Sequence, residues 1–268
     1  MSRATNLSLL ALLALVFVAA IARAHPADEF CIPGETDLDP ALCAALSSLD
    51  SADSRADLSA AAQSLLADLE NRSAWETFLL YIRIGIDHIV PGGLDHILFV
   101  LGLVISTPRL RSLALQISAF TVAHTATLAL TATGVLAPPS SLVESLIAAS
   151  IAFVAVEAIV LKEPPKWRLG LVFVFGLVHG MGFAGAFGEL GLPENQFWPG
   201  LIGFNVGVEI GQIGVALAGV LLIKAALMAA RSQRAEYPRW LTWPAAAIIA
   251  ATGLFWTVER VWGALFPG

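Results

Sequence analysis

Residues 139–168 read PSSLVESLIAASIAFVAVEAIVLKEPPKWR. Between Ser141 and Leu161 the only charged side chains are Glu144 and Glu157. About 20 mostly apolar residues in helical form cross the hydrocarbon of a bilayer, so this stretch is a membrane span. The loop before it, Thr133–Ser140, has no Lys or Arg, whereas Lys162, Lys166 and Arg168 follow it. Cytoplasmic loops carry the Lys/Arg excess, which orients this span outside to inside.

Working outward, apolar spans are expected at 93–107, 111–134, 141–161, 169–188, 198–228 and 240–264. Arg109 and Arg111 follow the first, and Arg231, Arg234 and Arg239 follow the fifth, while the loop Glu189–Trp198 has no basic residue. A six-span, all-α bundle with its N-terminus exported satisfies every loop together. Residues 75–90 are also apolar, but Pro91-Gly92-Gly93 separates them from the first span. A seventh crossing there would place the N-terminus inside, so an interfacial or re-entrant segment is expected.

The rest of the chain agrees. Arg3, the apolar run Leu9–Ile21 and Ala22-Arg23-Ala24 have the order of a cleaved secretory signal peptide over 1–24. Residues 25–74 then form an exported acidic segment, holding nearly half of the 21 Asp and Glu residues and both cysteines, Cys31 and Cys43. In an oxidising compartment such a pair is expected as a disulfide. Residues 75–268 form the bundle. Hydrophobic residues make up 57% of the chain, charged residues 13%, and the mean hydropathy is +0.77. That is half the usual charged fraction of a soluble domain. Without a basic patch interleaved with aromatics, nucleic-acid binding is excluded. The expected address is a bacterial-type cytoplasmic membrane.

Ionisable side chains inside hydrocarbon are costly and mark cavities or pathways. Asp87, His88, Asp95 and His96 surround the Pro-Gly-Gly break, which is expected near the outer face as a vestibule. His124, His179 and Glu209 lie near the middle of their spans and are expected deeper, on the way in. Asn205 and Gln212 flank Glu209, and Glu144 and Glu157 sit toward opposite ends of the third span. Imidazole and carboxylate suit Ni, Co, Zn or Cu(II), whereas Cu(I) favours thiolate or thioether. The bundle contains no Cys and only Met181 and Met228. Each residue also has a plainer role: Asp95 as a helix-start cap, His124 as a hydrogen-bonding partner of a neighbouring helix, Gly176 with Gly180 and Gly203 with Gly207 and Gly211 as close-packing faces.

Four stretches then resemble the HupE/UreJ membrane proteins, in particular the second branch of that family. They are Gly85–Phe99 (GIDHIVPGGLDHILF), Phe120–Thr125 (FTVAHT), Phe175–Ala184 (FGLVHGMGFA) and Phe204–Gln212 (FNVGVEIGQ). The resemblance covers roughly residues 80–215. It implies a nickel or cobalt permease linked to metalloenzyme maturation, with the family's histidine–aspartate motif at His88, Asp95 and His96 and its His-Gly motif at His179-Gly180. One residue more separates His88 from Asp95 than in better-known members, and the second motif lacks their further His and Glu.

The leading expectation is a permease for a divalent transition metal, with no nucleotide-binding G-x-x-x-x-G-K-[ST] run to drive it. The alternatives are an intramembrane metal or haem enzyme, in which His124 and His179 hold the group, and an accessory factor delivering metal to maturing metalloenzymes. The last draws on His25, which cleavage would make the N-terminal residue; Pro26 blocks the usual amide-nitrogen chelate there.

Overall fold

The computed structural model describes residues 72–107, 109–161, 163–182, 194–229 and 239–266. The expected signal peptide, the acidic segment up to residue 71 with its Cys31–Cys43 disulfide, and His25 lie outside the described residues. Among the described residues all regular structure is helical: α1 (Ala74–Ile89), α2 (Leu94–Ser106), α3 (Leu110–Ala132), α4 (Ser140–Val160), α5 (Arg168–Gly182), α6 (Phe197–Ala229) and α7 (Arg239–Leu265), with one short 3-10 turn at Glu194–Gln196.

Helix α1 starts at a capping box. The Ser73 hydroxyl accepts from the Glu76 amide at 3.3 Å, and the Glu76 carboxylate accepts from the Ser73 amide at 2.8 Å. Proline disfavours helical geometry in the residue before it, and Val90, ahead of Pro91, is extended at φ −133° and ψ 112°. The chain then turns tightly, with Gly92 N–H donating to the Asp87 carbonyl at 3.1 Å. A Cβ on Gly93 would strike the His88 carbonyl, so the turn needs glycine there. Helix α2 leaves it at 72° to α1.

Four helices, α3, α4, α6 and α7, are long and apolar enough to cross a membrane, and α1 with α2 qualifies together as a bent fifth. The chain is a multi-pass membrane protein. The expected first span is only the 13 residues of α2, about 20 Å at 1.5 Å per residue, and with α1 it has the geometry of either a broken span or the expected re-entrant segment. The expected fourth span is described as far as Gly182, and α5 is a shorter apolar helix. Large apolar side chains such as Leu115, Val122, Leu217, Leu221, Leu254 and Phe255 are exposed, a surface suited to lipid.

Glycines set the closest approaches. Gly203, Gly207 and Gly211 of α6 lie against Phe78, Ile82 and Ile89 of α1, and Gly85 of α1 lies against the backbone of Phe204 and Val208. The two numberings rise together, so α1 and α6 run parallel in backbone contact. Gly176 and Gly180 of α5 lie against Phe120 and His124 of α3, again parallel. Gly253 of α7 meets Ala148 and Ala152 of α4, while Arg260 donates to the Glu144 carbonyl at 2.8 Å, which makes α4 and α7 antiparallel. Helix α2 fills the middle, burying Leu98, Phe99, Leu103 and Val104 against Ile151, Val154 and Val220. These relations are those of a chain that traverses the bundle back and forth.

Arg168, expected among the loop cations, is instead 2% exposed at the start of α5. Its Nη1 is 2.8 Å from Glu157 Oε2, Nε donates to Gln116 Oε1 at 2.9 Å, and Nη2 donates to Ser106 Oγ at 2.6 Å. One guanidinium thus ties α5 to α4, α3 and α2.

Two outcomes follow for unfolding measured in detergent. Gly207→Ala puts a methyl onto the Ile82 backbone and is expected to destabilise by about 1–3 kcal/mol, whereas Gly214→Ala, with open space around it, stays neutral or gains up to about 1 kcal/mol. Glu157→Ala strands a buried guanidinium and is expected to cost about 3–5 kcal/mol, much of it recovered in a Glu157→Leu, Arg168→Met double variant.

Candidate metal centre

The break between α1 and α2 places His88 in the last turn of one helix and Asp95-His96 in the first turn of the next. His96 points into the bundle at 3% exposure, where it meets His124 of α3 and His179 of α5, which are 0% and 1% exposed. The His96 ring lies 5.0 Å from His88, 5.0 Å from His179 and 5.8 Å from His124, centroid to centroid. Ligating atoms of His88, His96 and His124 lie within 4.8 Å of one another, as do those of Asp95, His96 and His179. The two groups share His96.

The expected two depths therefore collapse into one. His88, Asp95 and His96 from either side of the break and the mid-span histidines form a single cluster, because the 72° bend turns α2 in between α3 and α5 while Val90, Pro91 and Gly92 of the break itself stay exposed. Phe99, Phe120 and Phe204 wall it: Phe99 and Phe120 pack 5.3 and 5.0 Å from His179, and Phe204 lies 5.4 Å from His88. Four imidazoles and a carboxylate thus face one another in an aromatic box.

Neighbours set which nitrogen each ring presents. The Asp95 carboxylate accepts from the His96 backbone amide at 2.8 Å and lies 3.0 Å from His96 Nδ1. An ionised carboxylate only accepts, so Nδ1 donates and Nε2 keeps its lone pair. Asn205 Nδ2 donates to the Leu201 carbonyl at 2.8 Å, which turns Oδ1 toward His124 Nδ1 at 3.1 Å. His124 therefore also presents Nε2. Among the described residues, His96 Nε2, His124 Nε2 and His179 Nδ1 are buried without a hydrogen-bond partner. Leaving one such group unsatisfied costs about 1–3 kcal/mol. Three in one cluster offer the kind of donors that suit a divalent transition metal, and fixing the far nitrogen by hydrogen bonding is the usual outer support of metal-binding rings.

The other candidates lie elsewhere. Glu209 accepts from Ser118 Oγ at 2.6 Å, and Gln212 accepts from Thr121 at 3.2 Å, so both belong to a polar seam between α3 and α6. Neither is in the two metal groups. Asn205 acts on His124 rather than in the ligand set. Asp87 is 3.9 Å from Arg83 one turn back, Glu144 is exposed, and Glu157 holds Arg168. Sequence reasoning passed over Ser150, whose Oγ is 2.9 Å from His179 Nε2; a lone Ser in an Ala/Ile-rich span gives no signal of its own. The three phenylalanines stand within or beside the matching stretches, yet nothing in their spacing marks them as walls of one site.

No curated protein and no solved structure matches the chain. A family model described as HupE / UreJ protein matches residues 64–260, taking in the break, all four clustered histidines and helices α1 to α6 with most of α7. With nearly three quarters of its length matched, the chain belongs to the HupE / UreJ family.

Proposed function

We propose that this protein is a membrane permease for a divalent transition-metal ion, nickel or cobalt first, with zinc and Cu(II) within the same donor chemistry. The observation that carries the reading is the gathering of His88, His96, His124 and His179 with Asp95 into two three-donor groups that share His96. Thiolate and thioether donors are not in this set, which disfavours Cu(I). Family membership supports it, since HupE/UreJ proteins are associated with nickel and cobalt transport or metalloenzyme maturation. Each group offers three protein donors, an open shell suited to an ion that binds and leaves again.

The direction is inward across the cytoplasmic membrane. An exported acidic segment raises the local cation concentration on the outer side, and loops rich in Lys and Arg face the cytoplasm. The polar seam from Asn205 and His124 through Thr121, Gln212, Ser118 and Glu209 lies beside the cluster as a route for the ion or for an accompanying proton.

The test is nickel and cobalt binding by the purified protein, with uptake into proteoliposomes. His96→Ala, which removes the ligand common to both groups, is expected to lose both. Glu209→Gln is expected to retain binding while slowing uptake, and Glu144→Gln to match the wild type in both. A folded wild-type protein that binds no divalent transition metal refutes the permease reading.

A further inference from the structure

Ser150 lies in the middle of α4, 1% exposed, with its hydroxyl 2.7 Å from the Ile147 carbonyl and 2.9 Å from His179 Nε2. A hydroxyl has one hydrogen to give and can accept as well. The Ile147 carbonyl accepts only. Turning the hydrogen toward Nε2 would leave two oxygens 2.7 Å apart with nothing between them. The hydrogen therefore goes to Ile147, the familiar back-bond of a helical Ser to the preceding turn. The Ser150 oxygen is then an acceptor, and His179 Nε2 must carry the proton it receives. That leaves the His179 lone pair on Nδ1, the buried atom with no hydrogen-bond partner among the described residues. His179 thus presents the opposite nitrogen from His96 and His124.

We propose that Ser150 is a positioning residue of the metal centre: it holds His179 in the Nε2–H tautomer and so aims the Nδ1 lone pair at the cation. The inference rests on the metal reading of the cluster, but the proton arrangement belongs to the metal-free protein and is observable there. The support comes from α4, which supplies no ligand. It puts α4 in the centre's outer support, alongside Asn205 from α6. Loss of one such support commonly weakens metal affinity about tenfold to a hundredfold.

The experiment is 15N NMR of histidine-labelled full-length protein in nanodiscs, at mildly alkaline pH without metal, followed by nickel titration. His179 signals are assigned by comparison with His179→Gln. The wild type is expected to show the Nε2–H form, Ser150→Ala to lose that preference and bind nickel about tenfold to a hundredfold more weakly, and Ser150→Thr, which keeps the hydroxyl, to restore both. Unchanged thermal unfolding of Ser150→Ala separates this from a packing defect; if that variant does not fold, the wild-type and Ser150→Thr spectra decide. An Nδ1–H signal for His179 in the wild type overturns the inference. So does a folded Ser150→Ala protein with the wild-type tautomer and wild-type affinity. A wild type that shows the Nε2–H signal but binds no nickel overturns the metal reading, and the positioning role with it, while leaving the hydrogen bond assigned.

Discussion

Backbone contact between α1 and α6 governs where the histidines meet. A helix that packs through ordinary side chains stays about 8–10 Å from its neighbour. Three glycines of α6, facing α1 at four-residue intervals, allow a closer approach, and Gly85 answers them from the other side. Hydrophobic attraction cannot drive this contact within lipid, so van der Waals packing between backbones has to supply it. The result locks α1 along α6 and sets His88, in its last turn, against His96 and Phe204. From there the 72° turn sends α2 through the centre, where it carries His96 between α3 and α5.

The bundle also contains two polar assemblies of opposite character. One is the Arg168–Glu157 pair with Gln116 and Ser106, in which every charge has an answering group from a different helix. The other is the histidine cluster, in which supporting hydrogen bonds satisfy one side of the His96, His124 and His179 rings and leave their inward nitrogens unmet among the described residues. The first is closed on itself and acts as a clamp across four helices. The second is open toward a ligand. A carboxylate inside the bundle therefore has quite different meanings at Glu157 and at Asp95, although both are acids within apolar segments.

That difference shows what a linear reading can and cannot reach. The helical class and the five residues His88, Asp95, His96, His124 and His179 were legible, because apolar length and ionisable groups inside spans are properties of local sequence. The meeting of the break's His88, Asp95 and His96 with the mid-span histidines was not. Position along a span predicts depth only when the span is straight, and the bend follows from contacts between residues more than a hundred positions apart. Arg168 misled for a related reason: next to Lys162 and Lys166 it reads as one more loop cation, and only the fold brings Glu157 to it. Glu209 resembles Asp95 in sequence, but Ser118 from another helix settles its surroundings. Ser150 left no trace at all, since a hydroxyl acquires its role from the ring it faces.

The sharing of His96 by both groups has a consequence for stoichiometry. A neutral imidazole has a single lone pair, so the ring can serve one metal ion in one group at a time. Two ions of charge +2 lodged a few ångströms apart within a box of phenylalanine rings would also repel strongly at the low dielectric there. Occupation of the His88 side thus excludes occupation of the His179 side through a common donor. An ion moving from one to the other would pivot about His96 without entering water between them. On the metal reading proposed above, this cluster would hold one ion at a time.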